Sequence, residues 1–472
     1  MGTLSPSDLR QNSSEKVVVV MVPFPAQGHL NQLLHLSRLI TNHGLPVHYV
    51  TTATHSRQAK IRVHGWDPLT ATNIHFHELS SLPSFLSPPP NPNKNENFPT
   101  HLQPSFNAST LLRRPVADLL RSLSNVYDRV IVIHDSLMSY VVQDFISLPN
   151  AESYAFHSVS ACTLFFFIWE RMGKPFGIES DFIKDLPSID GCFSLEFVKF
   201  VHAQHEYTKF STGKIYNTSY VIEKPFLDFL ARDEISKGKT QWALGPFNPI
   251  TAEEQSVHDS LKWLDKQDEN SILYISFGTT TSFTEEQIRE IATGLDKMKQ
   301  KFIWVLREAD RGDIFEVDIV NSVNRSEKMI ENAASGGNGL IVRDWAPQLE
   351  ILKHPATGGF LSHCGWNSCM ESISMGVPIA AWPMHSDQPR NAFLVSKILG
   401  IGLVVRDWDK RDELVSSEIV KMAVKRLMGS KEGDEMRRRA AEMGGKLRRS
   451  VDEGGDGIGT AQLDSFVAHI TR

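Results

Sequence analysis

The sequence has few cysteines, no run of basic residues and no long apolar segment, and each of these absences excludes a class of protein. Its four cysteines (Cys162, Cys192, Cys364 and Cys369) form no Cys-x-x-Cys pair and no zinc-site spacing, as expected in a reducing compartment. The most apolar segment, ACTLFFFIWE at 161–170, is far shorter than the ~20 residues that span a bilayer. A net charge of −6 without a basic tract argues against a nucleic-acid partner.

The first sixteen residues, MGTLSPSDLRQNSSEK, lack the apolar core of a signal peptide. They begin with Met-Gly, but Pro6 stands where a myristoylation signal has Ser or Thr. We therefore expect a cytoplasmic monomer with no stable membrane insertion.

With 472 residues the chain is too long for one ordinary core, which predicts two domains. In the first half, apolar runs such as VVVVMV at 17–22 and DRVIVIHDSLM at 128–138 alternate with helical patterns. The same alternation begins again at SILYISFGTTT, residues 271–281. This order predicts βαβ units and two doubly wound α/β domains that face each other, with a ligand across the carboxyl ends of the strands.

The most informative stretch is FLSHCGWNSCMESISMGVP, residues 360–378. It predicts a strand, a short turn and a helix whose free N–H groups suit a phosphate pair. Asn367 and Ser368 would add donors in the first turn, and Glu371, four residues later, could hold a sugar diol. A buried strand-turn-helix with Ser368 as a plain cap explains the same pattern.

Two neighbouring stretches add candidates. In RDWAPQLEIL, Trp345 follows a strand and could stack on a base, although a tryptophan in a core corner is as frequent. In AWPMHSDQPRNA, Asp387 and Gln388 stand side by side, which suits sugar hydroxyls and also suits an ordinary polar loop.

Taken together, the text from WAPQ through HCGWNS to DQ resembles the signature box of plant UDP-dependent glycosyltransferases. The resemblance implies a GT-B fold, in which two Rossmann-like domains face each other across a cleft and the second holds the UDP-sugar. It also implies roles for individual residues. They are Trp345 and Ala346 at uracil, Gln348 and Glu371 at ribose, His363, Asn367 and Ser368 at the diphosphate, and Trp366, Asp387 and Gln388 at the sugar.

The family resemblance extends to the domain boundaries. It implies an N-terminal acceptor-binding domain over 1–247, a linker over 248–259, a donor-binding domain over 260–452, and a C-terminal helix within 453–472 that packs back on the first domain. In SFGTTT it places Thr279 near the diphosphate, although a plain strand-turn cap accounts for that residue equally well.

A single histidine, His29, follows Gly28 at the first strand-to-helix join, in PFPAQGHLN. The stretch matches the one that carries the family's catalytic histidine, and an acceptor hydroxyl needs such a base. Asp135, at the end of IVIHDSLM, occupies the place of the family's catalytic aspartate and would orient the base. A satisfied core or surface histidine and a strand-end cap are the alternatives for these two residues.

One displacement at the anomeric carbon, without a covalent intermediate, predicts inversion to a β-glucoside. The triplet DWD at 407–409 resembles the metal-binding triplet of other glycosyltransferases, but it lies in a polar stretch after the box. We read it as a solvated loop, so no metal and no cofactor beyond the donor substrate are expected.

The resemblance is strongest to the zeatin O-glucosyltransferases, and Asn31-Gln32, where most plant relatives have Asn-Pro, is one mark of that group. The expected reaction is glucose transfer from UDP-glucose to a hydroxyl of a small hydrophobic acceptor of the zeatin type. Loops within 80–105 and 155–205 would read the acceptor. Flavonoid or other phenolic O-glucosylation, transfer to an already attached sugar, and a non-catalytic UDP-sugar-binding protein are the alternatives.

Overall fold

The computed structural model describes residues 16–63, 65–79, 98–174, 181–250, 258–281, 283–307, 328, 330–452 and 457–472. The N-terminal segment before residue 16, most of the Pro/Asn-rich loop expected at 86–100 and the middle of the 248–259 linker lie outside these ranges.

Two all-parallel sheets form the frame of the molecule, as the alternation of apolar runs and helical patterns predicts. The first has seven strands in the order β3-β2-β1-β4-β5-β6-β7, and the second has six in the order β10-β9-β8-β11-β12-β13. The strands of the first sheet are Val17–Val22 (β1), Val47–Thr52 (β2), Ile74–Leu79 (β3), Arg129–Asp135 (β4), Ala151–His157 (β5), Gly213–Tyr216 (β6) and Thr240–Ala243 (β7). Those of the second are Ile272–Ser276 (β8), Phe302–Val305 (β9), Gly339–Val342 (β10), Thr357–Ser362 (β11), Ile379–Ala381 (β12) and Gly402–Val404 (β13).

Helices cover both faces of each sheet. Those around the first sheet are Gln27–Thr41 (α1), Ala53–Arg62 (α2), Gln103–Ala108 (α3), Arg113–Ser124 (α4), Ser139–Val142 (α5), Ala161–Arg171 (α6), Leu195–Thr208 (α7), Tyr220–Leu230 (α8) and Asp233–Ser236 (α9). Later helices are Asp259–Leu264 (α10), Glu285–Met298 (α11), Gln348–Lys353 (α12), Trp366–Met375 (α13), Gln388–Phe393 (α14), Ser417–Met428 (α15), Lys431–Arg449 (α16) and Ile458–Ile470 (α17). Within the described ranges, no helix is both long and apolar enough to cross a bilayer.

The central strands explain why the chain adopts this architecture. All six residues of β1 are buried, because helices pack on both faces of a parallel sheet and leave no wet side. β1 pairs with β2 on one side and β4 on the other, with Val22 opposite His134. The carboxyl ends of β1 and β4 therefore meet at one edge of the sheet, above which the first site residues lie.

The last helix, α17, packs on the first sheet rather than on the second. Phe466 and Ile470 are fully buried and belong to the core under β1 and β7. The Phe466 ring packs edge-on against Trp242 of β7, with 5.1 Å between centroids. The chain thus crosses from one domain to the other after β7 and returns after α16.

Candidate active site

A deep cleft runs between the carboxyl edges of the two sheets and is lined by both domains. The structure brings nearly all the sequence-predicted site residues to its wall. They are His29, Thr279, Trp345, Ala346, Gln348, His363, Trp366, Asn367, Ser368, Glu371, Asp387 and Gln388. Asp135 lies one layer behind, against His29.

The N-terminal-domain side of the cleft carries a histidine–aspartate pair. Helix α1 begins at Gln27, so His29 stands in its first turn. Its Nδ1 lies 2.6 Å from Oδ2 of Asp135, the fully buried last residue of β4. The other carboxylate oxygen accepts the N–H of Leu137 at 2.9 Å. Because a carboxylate only accepts, Nδ1 carries the proton and Nε2 is left as a base.

On the side of the second domain, His363 is enclosed by two glycine turns. A Cβ at Gly278 would come within 2.6 Å of Nε2 of His363, and one at Gly365 within 2.5 Å, so both positions require glycine. Burial lowers the pKa of His363 to about 4, and the imidazole is therefore neutral at pH 7. A neutral imidazole between two turns can donate one hydrogen bond to an anion without bringing a charge of its own.

Helix α13 begins directly after this turn and presents its N-terminus to the cleft. Cys364 adopts the left-handed conformation (φ 64°), and Gly365 is the N-cap. The Asn367 amide donates across the cleft to the carbonyl of Gly28, at 2.9 Å, next to His29. The amide of Gln32 reaches the same carbonyl at 3.1 Å. The start of α13 and the start of α1 are thus joined through one backbone carbonyl.

A short hydrogen-bonded row joins Gln348 to two residues in the first half of α13. Nε2 of Gln348 donates to Oγ of Ser368 at 3.0 Å and to Oε2 of Glu371 at 2.7 Å. Burial raises the pKa of Glu371 to about 7, while the Gln348 bond acts to lower it. An amide and a carboxyl in one row can bind two neighbouring hydroxyl groups, such as a ribose diol.

The indole of Trp345 lines the cleft and contacts the guanidinium of Arg62 from the other domain. The guanidinium carbon of Arg62 lies 5.5 Å from the centre of its ring. Arg62 also donates to Oε1 of Gln27 at 3.2 Å. Arg307, which lines the cleft, donates to the carbonyl of Gly278. No sequence motif points to these two arginines, since their partners are brought to them only by the fold.

Two residues expected at the sugar have side-chain atoms already engaged. The indole N–H of Trp366 donates to the carbonyl of Asn217 at 2.8 Å, so this side chain joins the two domains. Oε1 of Gln388 accepts the backbone N–H groups of Met384 at 2.8 Å and His385 at 3.0 Å. Gln388 therefore faces a ligand only with its amide N–H, whereas Asp387 lies half-buried in the cleft wall.

The wall that the first domain forms beside His29 is aromatic. Phe24 packs against His29 with 5.1 Å between ring centroids, and Phe106 against Phe24 at 4.7 Å. Phe98 and Phe197 continue the wall, 4.8 Å apart. The sequence contains 26 phenylalanines, but only the fold shows which of them meet at the base. Such a wall suits a flat, apolar acceptor.

No group of three histidine, cysteine, aspartate or glutamate side chains arranged to hold a metal ion is present in the described part of the chain.

Two parallel doubly wound domains that face each other across a cleft, with a histidine–aspartate pair on one wall and a helix N-terminus on the other, are the architecture of a GT-B glycosyltransferase. Two family models cover almost the whole chain: "Glycosyltransferase, N-terminal domain" over residues 15–249, and "UDP-glucoronosyl and UDP-glucosyl transferase" over 249–435. The chain belongs to this family of UDP-glycosyltransferases, which confirms the fold and the enzyme class predicted from the sequence.

Known proteins resemble it over their full length. A zeatin O-glucosyltransferase of Phaseolus lunatus is 54% identical over 97% of this chain and 97% of its own. A zeatin O-xylosyltransferase of Phaseolus vulgaris is 51% identical, over 98% and 99%. The crystal structure of TcCGT1 in complex with UDP superposes with a TM-score of 0.76 at 26% identity, covering 97% of this chain and 99% of that one.

Proposed function

We propose that the protein transfers glucose from UDP-glucose to the hydroxyl of a zeatin-type cytokinin and forms a β-O-glucoside. The observation that carries the proposal is the His29–Asp135 pair, held at 2.6 Å beside an aromatic wall and opposite the start of α13. The acceptor class is supported by the similarity to the zeatin O-glucosyltransferase of Phaseolus lunatus.

The reaction is a single displacement. Nε2 of His29 takes the proton of the acceptor hydroxyl while its oxygen forms a bond to the anomeric carbon. The bond from that carbon to the diphosphate oxygen breaks, and UDP leaves with the electron pair. Attack from the face opposite the leaving group inverts the α-linked donor to a β product. Asp135 stabilises the imidazolium that results.

The leaving UDP is stabilised by groups of this chain. The N-terminus of α13 offers free N–H groups to the diphosphate, and neutral His363 adds a donor. On this basis the proposed reaction needs no metal. We place the protein in the cytoplasm as a monomer, with neither nucleic-acid binding nor membrane insertion.

The transferred sugar is the finer part of the proposal. In the family that the signature box resembles, a glutamine at its end, here Gln388, goes with glucose more often than with galactose. The similar Phaseolus vulgaris protein is a zeatin O-xylosyltransferase, so UDP-xylose is the competing donor to test.

A second candidate is the O-glucosylation of flavonoids or other phenolics. The aromatic wall formed by Phe24, Phe98, Phe106 and Phe197 favours it, because such a surface accepts any flat ring of suitable size.

The test is an assay with UDP-glucose or UDP-xylose, with and without EDTA, against trans-zeatin, cis-zeatin, dihydrozeatin and a flavonol. UDP release, product mass and the anomeric configuration are measured. We expect formation of a β-glucoside of a zeatin, at a rate that EDTA does not change. Turnover of the flavonol alone would reject a zeatin as the acceptor and support a phenolic acceptor. An extra sugar on a glucoside would indicate a sugar–sugar transferase, and binding of UDP-glucose without turnover would indicate a non-catalytic protein.

A further inference from the structure

Helix α14 of the donor domain meets helix α6 of the acceptor domain immediately beside Asp387. Arg390 of α14 is almost fully buried and donates to Oε1 of Glu170 of α6 at 2.7 Å. The same guanidinium lies 5.4 Å from the ring centre of Phe166. The two helices are therefore held together by buried contacts, next to a carboxylate that lines the cleft.

Asn391 is the central polar residue of this contact, and it is completely buried. Its Nδ2 donates to Oδ2 of Asp387 at 2.7 Å and to the carbonyl of Cys364 at 3.0 Å. Its Oδ1 accepts the hydroxyls of Ser160 at 2.8 Å and Thr163 at 3.2 Å. Both donors and both acceptor positions of the amide are satisfied.

The orientation of this amide follows from its neighbours. Two of them, the Asp387 carboxylate and the Cys364 carbonyl, can only accept, so the nitrogen must face them. The two hydroxyls can donate to the oxygen on the other side. A reversed amide would lose its bonds to both acceptors, and therefore the network holds Oδ2 of Asp387 in one place.

The bond to Asn391 also affects the charge of Asp387. Burial raises the pKa of Asp387, whereas the Asn391 hydrogen bond acts to lower it, with a smaller contribution from His29. A carboxyl group held in one place at the cleft wall, with further lone pairs besides the one that Asn391 occupies, can accept hydrogen bonds from sugar hydroxyl groups. Asn391 does not line the cleft, so it acts on a ligand through its partners, and Asp387 is the partner whose side chain lines the cleft.

We propose that Asn391 is a positioning residue that fixes Asp387 for the transferred sugar and anchors that carboxylate to the acceptor domain through Ser160. This inference rests on the proposed function, because it takes the sugar as the ligand of Asp387. It predicts that Asn391 contributes to binding of the sugar and contributes nothing to binding of the nucleotide.

The test measures the dissociation constants of UDP-glucose and of UDP by calorimetry, for wild type, Asn391→Leu and Asn391→Ala. We expect the constant for UDP-glucose to rise about tenfold or more in both variants, as for loss of a hydrogen bond to a charged group. The constant for UDP should stay within about twofold, since UDP carries no sugar. UDP binding also reports that each variant is folded.

Thr163→Val is the matched control. It removes the longer of the two bonds to Oδ1 and the bond between the Ser160 and Thr163 hydroxyls, and it keeps both bonds made by Nδ2, so both dissociation constants should match wild type. Equal weakening of UDP and UDP-glucose, or unchanged UDP-glucose binding, would overturn the proposal. Because these are binding measurements, they remain decisive if wild type transfers sugar to none of the tested acceptors, an outcome that would reject the proposed function alone.

Discussion

Nδ1 of His29 is hydrogen-bonded to the buried carboxylate of Asp135, and the imidazole lines the cleft. This arrangement leaves Nε2 for a ligand. This division of roles makes the two members of the pair unequal. His29→Ala removes the base and should lower kcat by about 10²–10⁴-fold. Asp135→Asn keeps the shape but stabilises the wrong tautomer, so kcat should also fall by about 10²-fold or more. Steady-state kinetics with a zeatin acceptor would measure both losses.

His43→Ala is a suitable control for these variants, because His43 is exposed just after the end of α1. The His43→Ala variant should keep full activity. The dissociation constant of UDP should be unchanged in all three proteins. A His29→Ala variant with wild-type kcat would remove this residue from the mechanism.

Individual site residues differed in how well the sequence could predict them. His29, Asp135 and the stretch from Trp345 to Gln388 lie in local motifs, so their neighbours along the chain point to them. Asn391 was not predicted, because its partners Ser160 and Thr163 lie more than two hundred residues away and share no pattern with it. The engaged indole of Trp366 was missed for the same reason, since its acceptor, Asn217, belongs to the other domain.

The first N–H groups of helix α6 donate to a buried glutamate, Glu223, so the stability of this element depends on pH. Glu223 accepts the N–H groups of Ala161 at 3.0 Å and Cys162 at 2.8 Å, and the hydroxyl of Thr218 at 2.6 Å. Burial raises the pKa of Glu223 from 4.5 to about 7, and the three hydrogen bonds only partly oppose this rise. The folded chain therefore retains a proton that the unfolded chain has released between these two pH values.

Because folding is linked to this ionisation, the contribution of Glu223 to the free energy of unfolding should fall as the pH rises from about 4.5 to about 7. Above about pH 7 this contribution should stay constant. Glu223→Gln removes the ionisation. The stability of wild type relative to this variant should fall over that interval by about 3 kcal/mol. Urea unfolding at several pH values would measure the difference, and parallel curves for the two proteins would contradict it.

Elements were predictable where burial imposes one pattern over their whole length. The apolar run of β1 and the turn-to-helix signal of α13 are of this kind. The three-residue strands β12 and β13 are too short to show a pattern of their own. The start of α1 is also hard to predict, because its N-cap, Ala26, has no capping side chain.

The stability of the whole molecule depends on the last helix, α17. Phe466 of α17 is fully buried against Tyr154 and Trp242 of the first sheet. Phe466→Ala should destabilise the protein by about 3–5 kcal/mol, because it leaves a cavity under β7. Thermal unfolding would measure the loss, with the exposed neighbour Asp464→Ala as an unchanged control.

Removal of residues 455–472 should lower the folding yield, and a truncated protein with normal melting and activity would show that the helix is dispensable.

The return of the chain to its first domain also affects how the two domains can move relative to each other. The chain passes from the first sheet to the second after β7 and comes back after α16, so two covalent connections join the domains. Two connections leave fewer relative movements open to a pair of bodies than one connection does. We therefore expect that, without α17, the distance between His29 and the start of α13 would vary more from molecule to molecule than in the intact chain.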